Sequence, residues 1–223
     1  MIKLLPYIEI NPNIAPIASV IWLHGLGADG HDFEPIVADL KLPKNLPIRF
    51  VFPTAPDRAI TINQGMIMSA WYDIAQLDPN KHDEKGIFES EKMIGQLIEH
   101  ETARGIPSDK IILAGFSQGG VIALHTGLRY PKKLAGILAL SAYLPLGERL
   151  KTERSKENIN TPIFMVHGIT DNIIPIQFAR LSYNVLKQLN YKIAWHDYPM
   201  EHSVCTEEVN DISQWLQAIY FTS

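Results

Sequence analysis

Short runs of β-branched and other apolar residues recur along the chain, and amphipathic stretches fill the intervals between them. Ala18 to Leu23 is the first clear run and Ile48 to Phe52 the second. Ile111 to Phe116, Gly136 to Leu140 and Ile163 to Val166 follow, and Lys192 to Tyr198 closes the series. Runs that are apolar on both sides suit strands of a parallel sheet covered on both faces. Helical spacing appears between them. Ile87, Ile94, Leu97 and Ile98 fall on one face of a helix over Ile87 to Arg104. Phe178, Leu181, Val185 and Leu189 stripe a second, and Val209, Ile212, Leu216 and Ile219 a third. Strand and helix alternate from end to end, which predicts one doubly wound α/β domain over residues 1–223, with a mostly parallel central sheet and helices on both faces. Two stretches break the rhythm. Pro53 to Trp71, which contains Pro53, Pro56, Gly65 and two methionines, reads as a long structured loop, and such loops inside compact domains are usually functional. Gly147 to Asn160 is highly charged and reads as a solvated excursion.

Composition narrows the classes. The chain has 223 residues, 46% of them hydrophobic, which suits a domain with a sizeable core. Its net charge of -4 gathers no nucleic acid, and no Lys/Arg run marks a membrane patch. Cys205 is the single cysteine, so an intramolecular disulfide and a multi-cysteine zinc site are both excluded. One thiol fits a reducing, cytoplasmic setting. Met1 to Pro6 lacks the long apolar segment of a secretory leader, and no apolar run is long enough to form an integral membrane segment.

The chemistry begins at Gly115-Phe116-Ser117-Gln118-Gly119. A strand that turns into a helix within one residue holds its serine in a strained backbone conformation. Small flanking residues let strand and helix approach, and the hydroxyl is left exposed at the tip. The pattern alone occurs by accident in roughly one chain in fifteen of this length. Here the run Ile111 to Ala114 enters it and Val121 to Leu124 leaves it as a helix.

A serine hydroxyl needs a general base, and the base needs an acid to fix its tautomer. On an α/β-hydrolase sheet those partners follow in the order serine, acid, histidine. Downstream, Asp171 lies in the turn after the run Ile163 to Val166, and His202 lies in the turn between the last strand and the last helix. Both are carboxyl ends of strands, where active sites of open α/β sheets gather. The other histidines fit less well. His196 sits inside a strand, and His167 precedes Asp171. His125 is two turns along the helix after the serine, while His82 and His100 fall in polar surroundings.

An oxyanion needs donors as well. The backbone N–H of Gln118, the residue after the serine, supplies one. The glycine turn His24-Gly25-Leu26-Gly27-Ala28-Asp29-Gly30 supplies the other, with the amide of Leu26 the leading candidate. Gly25, Gly27 and Gly30 also satisfy a dinucleotide-binding spacing, but no acidic residue closes the next strand. The clustering of His24, Asp29, His31 and Asp32 in this turn needs no metal. No cofactor and no metal are expected.

The glycine turn, the serine pattern, His167-Gly168 with Asp171 and Pro175, and His202-Ser203-Val204 together resemble the acyl-protein thioesterase/carboxylesterase family of α/β-hydrolases. Ala70 to Ile74 and Leu140 to Pro145 also match its pattern. The resemblance runs from about Ile21 to the C-terminus. It implies a small hydrolase without a large cap domain that cleaves carboxylic esters and often fatty-acyl thioesters, with lysophospholipids or S-acylated proteins as substrates in some members. It also implies Ser117, Asp171 and His202 as the triad and Leu26 and Gln118 as oxyanion donors. Family members usually carry Gly before the catalytic histidine. This chain has Glu201, which puts the local turn and the environment of His202 in question.

An acyl group resting near Ser117 needs apolar walls, and Trp71, Met66, Tyr143 and Ile174 are the candidates. For Met66 and its neighbour Met68, core packing is an equal reading. Cys205 reads as a buried small hydrophobe. A lysophospholipase or an acyltransferase would use the same triad. A binding module of a different class would carry a broken one, and none is broken here. A homodimer is among the assemblies such a chain could form.

Overall fold

The computed structural model describes residues 4–78 and 81–221. Met1 to Lys3, part of the stretch read above for a leader, lie outside the described residues. The strands are β1 (Tyr7–Ile10), β2 (Ala18–Leu23), β3 (Ile48–Pro53), β4 (Asp57–Ile60), β5 (Met66–Ser69), β6 (Ile111–Phe116), β7 (Gly136–Leu140), β8 (Ile163–Gly168) and β9 (Ile193–Tyr198). The helices are α1 (Ile36–Asp39), α2 (Glu84–Ala103), α3 (Gln118–Arg129), α4 (Leu150–Glu153), α5 (Ile176–Gln188) and α6 (Thr206–Phe221).

Seven strands form one sheet in the order β1-β3-β2-β6-β7-β8-β9. All neighbours are parallel except β1, which runs antiparallel to β3. Alternation along each strand divides the core in two, because successive side chains leave a sheet on opposite faces. Ile21, Leu113, Ile137 and Met165 face the layer of α2, α3 and α5, where Ile94, Leu97, Leu124 and Leu186 are fully buried. Val20, Trp22, Ile112, Leu138 and Phe164 face the opposite layer, where Ile36 of α1 and Ile212 and Leu216 of α6 cover them. From β2 the chain moves outward to β3, then returns to place β6 on the other side of β2. A crevice opens at such a switch, beyond the carboxyl ends of the strands.

Four features differ from the sequence expectation. β1 went unseen because it is short and half-buried at the sheet edge. Pro53 to Trp71 contains a hairpin, β4 paired with β5 from Asp57↔Ser69 to Ile60↔Met66, in a small sheet of its own. Gly147 to Asn160 is not merely solvated. Leu150 and Asn158 are fully buried. The Asn158 side chain accepts from Leu134 N and donates to the carbonyls of Tyr130 and Lys132, filling the loop before β7 with hydrogen bonds. On α5 the buried stripe is Ile176, Ala179, Ser182 and Leu186, whereas Leu181 is 58% exposed. The helix is rotated so that small residues meet the sheet. Phe178 and Val185 pack at the margin of the buried stripe.

Candidate active site

The turn from β6 into α3 holds Ser117 at φ 54° and ψ −121°, a conformation that favours glycine. Two glycines make the turn sterically feasible. A Cβ on Gly119 would lie 2.3 Å from the carbonyl oxygen of Leu23, and one on Gly115 would lie 2.4 Å from the carbonyl of Gly119. Strand β2, strand β6 and helix α3 therefore meet backbone to backbone at this point.

Three side chains from three strand ends join there. Ser117 Oγ lies 2.9 Å from His202 Nε2, and His202 Nδ1 lies 2.7 Å from Asp171 Oδ2. Asp171 is buried, and its Oδ1 accepts from the amides of Ile173 and Ile174 at 2.9 and 2.8 Å. A carboxylate that accepts on both oxygens requires the hydrogen on His202 Nδ1, which leaves Nε2 as the acceptor for the serine hydroxyl. The Phe116 ring packs on the imidazole at 4.7 Å between centroids. Glu201 is exposed and makes no ion pair among the described residues, so its side chain leaves the turn intact. Cys205 is half-buried, rather than buried, and packs at the edge of the α6 layer.

The glycine turn after β2 is pinned at three points. His24 is buried and makes hydrogen bonds from both ring nitrogens: Nε2 accepts from Ala55 N at 3.0 Å, and Nδ1–H donates to Gly25 O at 2.6 Å. Burial pushes its pKa below the ordinary value, so the ring stays neutral and keeps this tautomer. Gly27 N donates to Ser69 O at 2.8 Å. The indole of Trp71 donates to His24 O at 2.9 Å. Between these anchors, the Leu26 N–H makes no hydrogen bond among the described residues. The Gln118 side chain braces the other wall, accepting from Trp71 N at 2.8 Å and donating to Tyr72 O at 2.7 Å.

Beside Ser117 lies a cavity of about 210 Å³, lined by Leu26, Ile62, Tyr72, Ile74, Tyr143 and Ile174, among others. Tyr143 and Ile174 thus stand at its wall. Trp71 and Met66 do not. Trp71 is fully buried behind the glycine turn, where its N–H groups are committed to His24 and Gln118. Met66 is 62% exposed at the start of β5, where the hairpin stands off the main sheet. The hairpin contributes Ile62 and Asn63 to the wall instead, and it is Met68 whose sulfur approaches Gly27. Sequence reasoning missed Tyr72, Ile62 and the bracing roles of His24 and Gln118. Tyr72, adjacent to Trp71 in a matching stretch, was the available signal. His24 was weighed only as a metal ligand.

A parallel sheet with a strained serine at its switch point, followed in the chain by an acid and a histidine at later strand ends, defines an α/β-hydrolase. Residues 8–220 match the Phospholipase/Carboxylesterase family model, and the chain belongs to that family. It is a hydrolase enzyme of the carboxylesterase type. It is similar to acyl-protein thioesterase 1 of Yarrowia lipolytica, at 36% identity over 95% of this chain and 96% of the relative. It is also similar to acyl-protein thioesterase 1 of Neurospora crassa, at 39% identity over 89% and 85%. Among solved structures, Arabidopsis thaliana SOBER1 superposes with a TM-score of 0.85 at 30% identity, covering 91% of this chain and 98% of that one. No helix among the described residues is long and apolar enough to cross a membrane.

Proposed function

We propose that this protein is a serine hydrolase that cleaves carboxylic esters and thioesters of fatty acyl groups through an acyl-enzyme, acting as a single α/β-hydrolase domain in the cytoplasm. The observation that carries the reading is the unbroken chain of contacts from Ser117 through His202 to Asp171. His202 takes the proton as Ser117 Oγ attacks the acyl carbonyl, and Asp171 steadies the imidazolium. The amides of Leu26 and Gln118 receive the oxyanion. Collapse of the tetrahedral intermediate breaks the bond to the alcohol or thiol, which leaves with the proton from His202. Water then attacks the acyl-serine with the same base, releases the acid and restores the serine.

The apolar cavity beside Ser117 supports an acyl rather than a sugar or phosphoryl substrate. The relatives named acyl-protein thioesterase support the thioester arm, with an S-acylated protein as the substrate and its thiol as the leaving group. The test is a panel of p-nitrophenyl esters and acyl-thioesters of graded length, run on the wild type and on Ser117→Ala. Hydrolysis by the wild type, an acyl adduct on Ser117 by intact mass, and loss of both in the variant are expected. A fully active Ser117→Ala would overturn the proposal.

A further inference from the structure

Asp171 touches two imidazoles. His202 meets it from solvent, and His167, the penultimate residue of β8, meets it from inside the sheet. His167 is fully buried. Its Nε2 lies 2.7 Å from the carbonyl oxygen of Ile174 and 3.3 Å from Asp171 Oδ2. A carbonyl can only accept, so the hydrogen of His167 is on Nε2 and is donated to Ile174 O, with Asp171 Oδ2 beside it as an electrostatic neighbour. Among the described residues its Nδ1 has no hydrogen-bond partner. A proton placed there would be a buried, unsatisfied donor, which fixes the ring as the neutral Nε2–H tautomer.

The turn itself explains why a donor belongs at this place. Asp171 Oδ1 accepts from Ile173 N and Ile174 N, so the carboxylate is held by the residues that follow it. Ile174, whose carbonyl is the other half of that clamp, also lines the cavity beside Ser117. His167 closes the loop by bonding that carbonyl from the strand. It thereby locks the turn against β8 and leaves the positive edge of its ring 3.3 Å from the oxygen that His202 uses.

We infer that His167 is a positioning residue for hydrolysis: its Nε2–H, bonded to the Ile174 carbonyl, holds the turn that carries Asp171, and its positive edge beside Oδ2 tempers the basicity of the oxygen shared with His202. The inference rests on the proposed roles of Ser117, His202 and Asp171. The ionisable groups that bear on His167 are Asp171 in its own turn, His202 between β9 and α6, and Arg180 on α5. None replaces the hydrogen bond to Ile174. With the donor removed, Asp171 binds the imidazolium of His202 more tightly, so the base gives up its proton at higher pH.

The test compares His167→Met, which keeps an apolar side chain of similar length, with His167→Gln, whose amide nitrogen reaches the place of Nε2. In His167→Met, kcat/KM at neutral pH should fall about tenfold or more, and the acid limb of its pH profile should move upward. His167→Gln should recover most of the rate and the original limb. A folded His167→Met with wild-type rate and limb overturns the inference, as does a folded His167→Gln as impaired as the Met variant. Should the Met variant fail to fold, nitrogen-15 NMR of the wild type decides. A neutral Nε2–H ring throughout mildly acidic pH is expected, and a titrating ring or an Nδ1–H tautomer overturns the inference. Ser117→Ala runs alongside: an active Ser117→Ala defeats the triad reading itself, whereas an inactive one with an unaffected His167→Met defeats only this inference.

Discussion

The indole of Trp71 donates a hydrogen bond to the carbonyl of His24 while its backbone N–H donates to the Gln118 side chain. One residue therefore ties the glycine turn after β2 to the first residue of α3, the two segments that carry the proposed oxyanion donors. Its own carbonyl accepts from Ser90 of α2, so the tie is anchored in the core. Trp71 braces the site from behind and does not touch the cavity.

Trp71→Phe tests this bracing. It keeps an aromatic ring in the core but leaves the His24 carbonyl without its donor, at a cost of about 1–3 kcal/mol when buried. Because the turn serves the transition state more than the bound substrate, kcat should fall about tenfold with KM nearly unchanged. Steady-state kinetics on a p-nitrophenyl ester measure the split. A rise in KM alone would return Trp71 to the acyl wall.

Strain at Ser117 gives a second expectation. At φ 54° any Cβ is disfavoured, so Ser117→Gly should raise the unfolding free energy by about 1 kcal/mol while abolishing activity. Ser117→Ala should abolish activity without that gain. Denaturant unfolding of the three proteins separates the two effects.

Tyr143 stands at the cavity wall, half-buried, and packs edge-on against Phe178 of α5. Tyr143→Ala should enlarge the cavity and shift preference toward longer acyl chains. The ratio of kcat/KM for octanoate over butanoate should rise about tenfold, within the range that single apolar contacts supply. A ratio equal to that of the wild type would remove Tyr143 from the acyl site.

Glu208 in the first turn of α6 is fully buried, and burial pushes its carboxyl from 4.5 up to about 8. A carboxyl whose folded pKa exceeds its unfolded one binds the extra proton in the native state. Its contribution to stability is therefore complete at acid pH and declines as pH rises from about 4.5 through about 8. Glu208→Gln keeps the shape without the charge. Its advantage in Tm over the wild type should be small at pH 5 and grow toward pH 9, as read by thermal melts. A constant difference across that range would show that Glu208 does not titrate as described.

Much of this was legible in the chain. Strands β2, β6 and β7 are buried along almost their whole length and bounded by turn residues, so they stand where their apolar runs place them. Ser117, Asp171 and His202 could be singled out because local sequence puts each at a strand end. The walls were harder. Met66 and Trp71 are large and apolar and lie in the right segment. Which of them reaches the cavity depends on how the β4–β5 hairpin folds off the sheet, and periodicity does not encode that. The α5 stripe failed for a related reason. Leu181 looks like a core residue, but Ala179 and Ser182 are small enough to let the helix sit close to the sheet on another face.

What the sequence determined by itself is the order of six main-sheet strands and the four long helices, the strained serine turn and the candidate residues at the strand ends, because these follow from local sterics and the periods of apolar residues. Tertiary structure alone decided which groups meet. It set the 2.9 and 2.7 Å contacts of His202, the pinning of the glycine turn by Trp71, and the approach of His167 to Asp171 from within the sheet. All but the last join segments far apart in the chain. Their distances are fixed only when both layers of helices have packed and seven strands have taken their register.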